Sequence, residues 1–398
     1  MLGGLCRGKV KIENLSPGQD VQSTLTCLRS LGVKVRQEGN VVKIEGHGLH
    51  GLQKSETILD AGNSGTTMRL LAGMLSGQSF ETKITGDASL QKRDMKRIVE
   101  PLSQMGAKIS SNQGFAPLWI HGGNLHGIEY TMPIASSQVK SSILLAGLFA
   151  SGVTSVIEHA PTRDHTERMF RYLGIKLDGD KNRVTVPGGQ EPQARDFSIP
   201  GDFSSAAFLI AAALLMKEAH LVIQDVGMNR TRTRFLDILA QMGGQIALKN
   251  ERLENEEPRA DLEIHHSDLK GIEVSGVDIP LLIDELPILA ILASQAHGVT
   301  LIRDAKELRV KESDRIQATV TNLKAMGGNI EELPDGMRIE GPTRLDGASL
   351  RSFHDHRIIM AFAVAGLVAS GETILEETEW ADISFPGFFE MLGTLSHT

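Results

Sequence analysis

Cysteine is scarce in this sequence, which has only Cys6 and Cys27 among 398 residues. Two cysteines supply neither a disulfide framework nor the ligand spacing of a zinc module. The scarcity argues against the disulfide-rich secreted class of proteins and favours a reducing, cytoplasmic environment.

Long hydrophobic runs and an excess of positive charge are also missing. The longest apolar stretches, 206–216 and 358–369, are well short of the roughly 20 residues that cross a bilayer. Lysine and arginine number 41 against 49 acidic residues, a formal net charge of −8. General nucleic-acid binding requires a basic face, so an anionic ligand would have to be held by locally clustered cations.

One phrase recurs along the chain, an amphipathic helix that ends in Leu-Gly or Met-Gly and is followed by a β-rich stretch. Its glycines are Gly32, Gly106, Gly174, Gly243, Gly327 and Gly393. Glycine at this place suits the left-handed residue that ends many helices. The recurrence predicts six structural repeats, three in each half of the chain.

A second phrase precedes five of the six glycines: an extended segment, a polar loop and a small-residue helix. It covers residues 58–75, 130–150, 197–215, 277–294 and 350–370. Each repeat then reads strand–helix–strand–helix–strand–strand. The first repeat has only residues 2–6 before its strand, so we expect half of it to be missing.

These patterns predict an α/β (α+β) fold of two similar domains, each with three βαβαββ repeats around buried helices. We place the domains at residues 1–197, with an incomplete first repeat, and 198–398.

Polar loops and cations mark the junctions where these repeats start their helices. Small polar residues in loops 63–67 and 136–138 suit phosphate or carboxylate binding at a helix N-terminus, although such residues more often only cap a helix. The junctions also carry Arg69, Arg93, Lys140, Arg163, Arg309, Lys311, Arg315 and Arg357. One arginine alone would indicate a surface ion pair, whereas recurrence at equivalent junctions favours recognition of anions.

Three acids stand out near these cations, namely Asp284, Glu285 and Glu312. Asp284 interrupts an otherwise apolar segment, and Glu312 lies between Lys311 and Arg315. Asp284 could cap a helix ahead of Pro287, or it could be a general base at the mouth of a cationic cleft. The sequence pattern leaves both interpretations open.

Six motifs together resemble the enolpyruvyl transferase family of 5-enolpyruvylshikimate-3-phosphate synthases. They are GNSGTTMR (62–69), SSQVKS (136–141), RDHTE (163–167), IPGDFSSAAF (199–208), RVKESDR (309–315) and DHR (355–357). The resemblance runs from Met1 to about Leu395. It implies a transferase of the shikimate pathway that moves the enolpyruvyl group of phosphoenolpyruvate to the 5-hydroxyl of shikimate 3-phosphate and releases phosphate. It further implies those two small molecules as partners, no cofactor, no metal, no nucleic acid, no membrane, and a monomer.

The resemblance also implies roles for individual residues. Contacts to shikimate 3-phosphate would come from Ser136, Ser137, Gln138, Arg163, Asp284 and Lys311. Contacts to phosphoenolpyruvate, and to the herbicide glyphosate that occupies its place in this family, would come from Gly65, Arg93, Gln138, Arg315 and Arg357. Asp284 would take the proton from the 5-hydroxyl, and Glu312 would protonate the methylene carbon with His356 beside it.

The sequence departs from the family in two places. The family begins with a strand and a "PGDKSxSxR"-like head that supplies a lysine, a serine and an arginine to both substrates, and this chain starts after that point. A lysine near the C-terminus of some members corresponds to Ile383. One alternative is therefore a non-catalytic large fragment that binds shikimate 3-phosphate and needs the missing N-terminal segment. A UDP-N-acetylglucosamine enolpyruvyl transferase is less favoured, because neither Cys6 nor Cys27 lies where that family carries its loop cysteine.

Overall fold

The structure is a computed structural model that describes residues 1–180 and 182–396. The chain forms two compact units, Met1–Ile199 (unit 1) and a second that starts at Pro200 (unit 2). Each unit buries its own apolar core. Among the described residues, no helix is long and apolar enough to cross a membrane.

Unit 1 alternates short helices with strands. Its helices are α1 (Leu2–Leu5), α2 (Gln19–Ser30), α3 (Gly65–Ser76), α4 (Lys96–Gln104), α5 (Ser137–Gly147) and α6 (His165–Tyr172). Its strands are β1 (Arg7–Glu13), β2 (Lys34–Glu38), β3 (Val41–His47), β4 (Leu59–Asp60), β5 (Glu81–Thr85), β6 (Lys108–Asn112), β7 (Phe115–His121), β8 (Glu129–Thr131), β9 (Val153–Ile157), β10 (Asp178–Asp180), β11 (Arg183–Pro187) and β12 (Phe197–Ser198).

Unit 2 repeats this alternation. Its helices are α7 (Phe203–Leu215), α8 (Arg234–Gln241), α9 (Ile279–Leu282), α10 (Leu286–Gln295), α11 (Arg315–Ala325), α12 (His356–Val368) and α13 (Phe388–Ser396). Its strands are β13 (His220–Gly227), β14 (Gln245–Glu254), β15 (Glu257–His265), β16 (Glu273–Val274), β17 (Gly298–Ile302), β18 (Ile330–Leu333), β19 (Gly336–Gly341), β20 (Ser349–Leu350) and β21 (Ile374–Leu375).

One sheet pattern recurs in both units. The orders β4-β5-β7-β6, β8-β9-β11-β10 and β16-β17-β19-β18 each start with a parallel pair and continue with antiparallel pairs. A parallel pair needs a crossover connection, which the intervening helix supplies. The sheet β12-β1-β3-β2 follows the same pattern. In it, β12 pairs in parallel with β1, as β4 pairs with β5.

The crossover helices of the repeats are made of small and apolar residues and are buried almost all round, as a helix without a polar face must be. In unit 1, α3 and α5 pack so closely that a Cβ on Gly73 would lie 2.2 Å from the carbonyl oxygen of Ser142. Side chains cap four of these helices at their N-termini; the capping residues are Ser64, Ser136, Asp202 and Asp355. The caps fix the loops that carry the motifs.

Candidate active site

In unit 1, two guanidinium groups flank the start of α3. Gly65 is the first residue of that helix, and a Cβ there would lie 2.8 Å from Arg69 Nη1 and 3.6 Å from Arg93 Nη1. Only a residue without a side chain leaves both guanidiniums this close to the backbone. The positive end of the helix dipole adds to their charge, so the surroundings of Gly65 suit an anion.

Amide side chains orient these two arginines. Arg69 donates to Gln138 Oε1, and Gln138 Nε2 in turn donates to Thr66 Oγ1 at 2.8 Å. Arg93 Nη2 donates to Asn63 Oδ1 at 2.8 Å. Of the residues for which the resemblance implies a contact, Gly65, Arg93 and Gln138 therefore lie together. Arg69 joins them, although the resemblance implied no role for it.

The second loop of unit 1 is built around the start of α5. Ser136 caps this helix, since its Oγ accepts the backbone N–H of Val139 at 3.5 Å, and Ser137 is the first helical residue. The interpretation of this loop as a helix cap is therefore confirmed. Capping does not exclude ligand binding by the same residues. Arg163 is half-buried in the loop between β9 and α6.

Lys140 does not fit the expectation of an anion-binding cation. Its side chain is only 1% exposed, and its Nζ lies 3.0 Å from Glu158 and 2.6 Å from Glu167. The residue follows Ser137 by one turn of α5 on a buried face, where an ammonium is tolerated only beside carboxylates. Thr162 also donates to Glu158. This buried cluster therefore anchors the loop next to Arg163 instead of binding an anion itself.

In unit 2, Asp284 lies among three arginines. Its Oδ1 is 3.4 Å from Arg315 Nη1 and 3.7 Å from Arg357 Nε, and its Oδ2 is 3.9 Å from Arg232 Nη1. The interpretation of Asp284 as a helix cap is wrong, because α10 begins at Leu286 and the residue that precedes it is Glu285. The carboxylate instead points into a cationic cluster.

Arg315 is the most enclosed member of that cluster, with a side chain 1% exposed. Its Nε lies 2.8 Å from Asp355 and its Nη2 lies 2.6 Å from Glu312. Burial alone would lower the pKa of Arg315, but the carboxylates of Asp355, Glu312 and Asp284 raise it above its usual value. Burial would likewise raise the pKa of Asp355, and Arg315 with other neighbours lowers it to about 2. Both groups of this bidentate pair therefore stay charged near neutral pH.

His356 and Arg357 open α12 directly after Asp355. Burial and the neighbouring Arg357 guanidinium lower the pKa of His356 well below its ordinary value, so its imidazole is neutral near pH 7. Arg357 Nη1 donates to the backbone carbonyl of Asp284 at 3.1 Å. Lys311 lies outside these contacts, with its Nζ 3.4 Å from Glu307.

Three further residues of unit 2, namely Asp202, Ser204 and Arg232, escaped the sequence reasoning, and Glu285, which the sequence singled out as an acid, was given no role. Ser204 donates to the buried Glu285, and Arg232 donates to Ser204 and lies 3.4 Å from Asp202. Burial raises the pKa of Glu285. The motif IPGDFSSAAF contains Asp202 and Ser204 and was a usable signal for them.

Comparisons with known proteins identify the family of this chain. The family model of EPSP synthase (3-phosphoshikimate 1-carboxyvinyltransferase) matches residues 1–392. The chain is 50% identical over 398 residues to the 3-phosphoshikimate 1-carboxyvinyltransferase of Brevibacillus brevis, covering 100% of this chain and 93% of that protein. It is also 50% identical over 394 residues to that of Geobacter sulfurreducens, covering 98% and 92%.

The fold has a counterpart among solved structures. The EPSP synthase of Acinetobacter baumannii superposes with a TM-score of 0.91 at 44% identity, covering 99% of this chain and 92% of that one. The α/β fold class, the family and the transferase function predicted from the sequence are thereby confirmed. The chain belongs to the EPSP synthase family, the 3-phosphoshikimate 1-carboxyvinyltransferases.

Proposed function

We propose that this chain performs its family's reaction with the carboxylates of unit 2 as its proton-transfer groups and the Gly65 surroundings as an anion site. The observation that carries the proposal is the pair Asp284 and Glu312, which share one guanidinium: Arg315 Nη1 is 3.4 Å from Asp284 and Nη2 is 2.6 Å from Glu312. Two acids held on one rigid group can serve opposite tasks in one reaction.

The chemistry needs both acids. Glu312 donates a proton to the methylene carbon of phosphoenolpyruvate, which leaves positive character on the neighbouring carbon. The 5-hydroxyl of shikimate 3-phosphate attacks that carbon and loses its proton to Asp284. The C–O bond to phosphate then breaks, the leaving phosphate takes up the proton from Asp284, and Glu312 regains a proton from the methyl group as the double bond re-forms. The neutral imidazole of His356 would contribute a hydrogen bond and no extra charge.

Fixed positive groups would hold the anionic parts of the substrates. For phosphoenolpyruvate we assign Gly65, Arg93, Gln138, Arg315 and Arg357. For shikimate 3-phosphate we assign Ser136, Ser137, Gln138, Arg163, Asp284 and Lys311. Guanidiniums oriented by amide oxygens, as at Arg69 and Arg93, support this assignment because they suit bidentate binding of phosphate and carboxylate.

Release of inorganic phosphate from the two substrates tests the proposal. Turnover with shikimate 3-phosphate but not with UDP-N-acetylglucosamine is expected. Calorimetry of the same protein with shikimate 3-phosphate alone separates binding from catalysis. Tight binding without phosphate release would favour the alternative of a non-catalytic binding fragment.

We also infer a monomer that works in the cytoplasm. Both Cys6 and Cys27 are buried free thiols, which supports a reducing compartment. Light scattering after size-exclusion chromatography tests the monomer, and a mass above that of one chain would contradict it.

A further inference from the structure

Three side chains that commonly bind metals meet on the exposed face of the sheet β13-β15-β14 in unit 2. They are His220, Glu263 and His265, and their candidate ligand atoms all lie within 4.8 Å of one another. The register of the strands explains why these three side chains lie close together. His220 pairs directly with His265 across the antiparallel strands β13 and β15, and Glu263 lies two residues earlier on β15. Residues two apart on a strand share a face, so all three side chains point the same way.

The geometry of the three groups suits a common ligand. His220 Nε2 lies 3.1 Å and His265 Nε2 lies 3.8 Å from the same oxygen, Glu263 Oε1. The two rings are stacked, with centroids 4.5 Å apart and planes at 2°. Tetrahedral zinc, with bonds of about 2.0–2.2 Å, places its ligand atoms roughly 3.3–3.6 Å apart. Because a metal ion lies in the plane of each imidazole that binds it, both exposed rings must rotate out of their parallel stack to bring all three atoms into one coordination shell.

We propose that His220, Glu263 and His265 bind a divalent transition-metal ion of the zinc class, with water completing the coordination. Two imidazole nitrogens and one carboxylate oxygen favour Zn²⁺, Ni²⁺ or Cu²⁺ over Mg²⁺ and Ca²⁺, which prefer oxygen-only sites. The side chains are 55%, 28% and 47% exposed in that order, so an ion reaches them from solvent. None of the three residues is among those assigned to the transferase reaction.

The charges around the cluster fit this assignment. The ammonium of Lys249 lies 3.4 Å from the other oxygen, Glu263 Oε2. A metal on Oε1 would leave that contact in place, and Lys249 would then act as an outer partner of the ligating carboxylate.

The ion would tie an edge strand to the centre of its sheet. β13 is an edge strand of this sheet, β15 is the middle strand, and His220 is the first residue of β13. A ligand that binds only the folded state stabilises it by an amount that grows with the logarithm of the ligand concentration above Kd. Metal binding should therefore raise the unfolding temperature of the protein without entering the transferase chemistry.

Unit 1 contains a matched control. His121 ends β7 as His265 ends β15, but its cross-strand partners are Glu81 and Lys108 in place of His220 and Gln245. His121 Nε2 lies 3.8 Å from Glu81, and the two side chains are 50% and 49% exposed. The control site therefore has a histidine and a carboxylate of similar exposure, but other side chains lie where the proposed site has its second imidazole.

Zinc titration of the full chain, purified without a histidine tag, tests the site. Competition with a fluorescent chelator should show one strong Zn²⁺ site, weakened at least about tenfold in His220→Gln and in His265→Gln, since even outer partners of ligands are worth 10–100-fold. His121→Gln should leave the affinity unchanged. Zn²⁺ should raise the unfolding temperature of the parent chain but not of the doubly substituted chain, and Mg²⁺ should raise neither.

A second measurement needs no variant and so does not depend on variants folding. Zn²⁺ should protect His220 and His265 of the parent chain from diethyl pyrocarbonate, as read by peptide mass spectrometry, and should leave His121 reactive. No strong zinc site in the parent chain would overturn the proposal. So would an affinity unchanged in both variants, an equal loss in His121→Gln, or protection that does not distinguish these histidines.

Discussion

The two units share one repeat but differ in the charges at the starts of their helices. In unit 1 the start of α3 is surrounded by guanidiniums that amide groups orient, as at Arg69 with Gln138. In unit 2 the corresponding loops carry carboxylates, with Asp284 and Asp355 both in contact with Arg315. The same backbone thus presents amide-oriented guanidiniums in one unit and a mixed acid–guanidinium cluster in the other. A few side chains at one junction decide which chemistry the repeat supports.

Substituting the acids of unit 2 should have the largest effect on the reaction rate if the two units differ in this way. Asp284→Asn and Glu312→Gln should each lower the rate of phosphate release by about 10²–10⁴-fold, because each removes a proton-transfer group. Binding of shikimate 3-phosphate, followed by calorimetry, should change much less. Glu331→Gln, an exposed acid on β18, is the matched control. Near-full turnover in either acid variant would refute the assignment.

Removing the buried cation of unit 1 should chiefly destabilise the fold. Lys140→Met leaves Glu158 and Glu167 buried without their ammonium, and breaking a buried ion pair in this way costs about 3–5 kcal/mol of unfolding free energy. Denaturant unfolding measures the change. Lys108→Met, at an exposed site on β6, should change the unfolding free energy by less than about 0.5 kcal/mol. Equal stability of the two variants would mean that the cluster is not structural.

Substitution of Arg93 should weaken the binding of one substrate, phosphoenolpyruvate, more than that of the other. Arg93→Ala removes a charge-assisted contact worth roughly 1.5–3 kcal/mol, which corresponds to about 10–100-fold weaker binding of phosphoenolpyruvate. Calorimetry or KM for each substrate measures it, with Arg97→Ala, exposed on α4, as the control. Comparable losses for both substrates would contradict the assignment of Arg93 to phosphoenolpyruvate.

Filling the space at Gly65 should have a similar or smaller effect. In Gly65→Ala the new methyl would lie 2.8 Å from Arg69 Nη1, so the guanidinium must move away from the start of α3. We expect weaker binding of phosphoenolpyruvate and of glyphosate, with shikimate 3-phosphate unaffected. Inhibition curves for glyphosate provide the measurement. Unchanged inhibition would place that anion elsewhere.

The neutral His356 gives unit 2 a pH dependence of stability. Its pKa is lower in the folded chain than in the unfolded one, so the unfolded state binds more protons as pH falls below about 6.5. Stability should therefore fall with decreasing pH from that point, by at most about 1.4 kcal/mol per pH unit. The contribution of Asp355 is lost only as pH falls from about 4 towards its folded pKa of about 2. Unfolding curves of the parent chain and of His356→Asn between pH 7 and 5 should diverge; parallel curves would contradict this reasoning.

Local sequence determined most of the fold. Helix periodicity, the glycine that ends each amphipathic helix and the small polar residue that caps the next are properties of a few neighbouring residues, and they predicted the strand–helix–strand–helix–strand–strand units. The same short-range patterns also predicted that four residues lie at helix starts or in the turns before them, namely Gly65, Arg93, Arg315 and Arg357. It therefore indicated which side chains could be functional.

Tertiary structure decided which side chains meet. Lys140 and Arg69 both lie one turn into a helix behind a polar loop, yet Lys140 is buried against Glu158 and Glu167 while Arg69 reaches Gln138. Likewise, only packing joins Ser204 to Glu285 and His220 to Glu263. The packing of helices and strands decides which residues distant in sequence become partners. The free-energy cost of burying an unpaired charge favours some of these pairs over others, but only after the packing has brought them together.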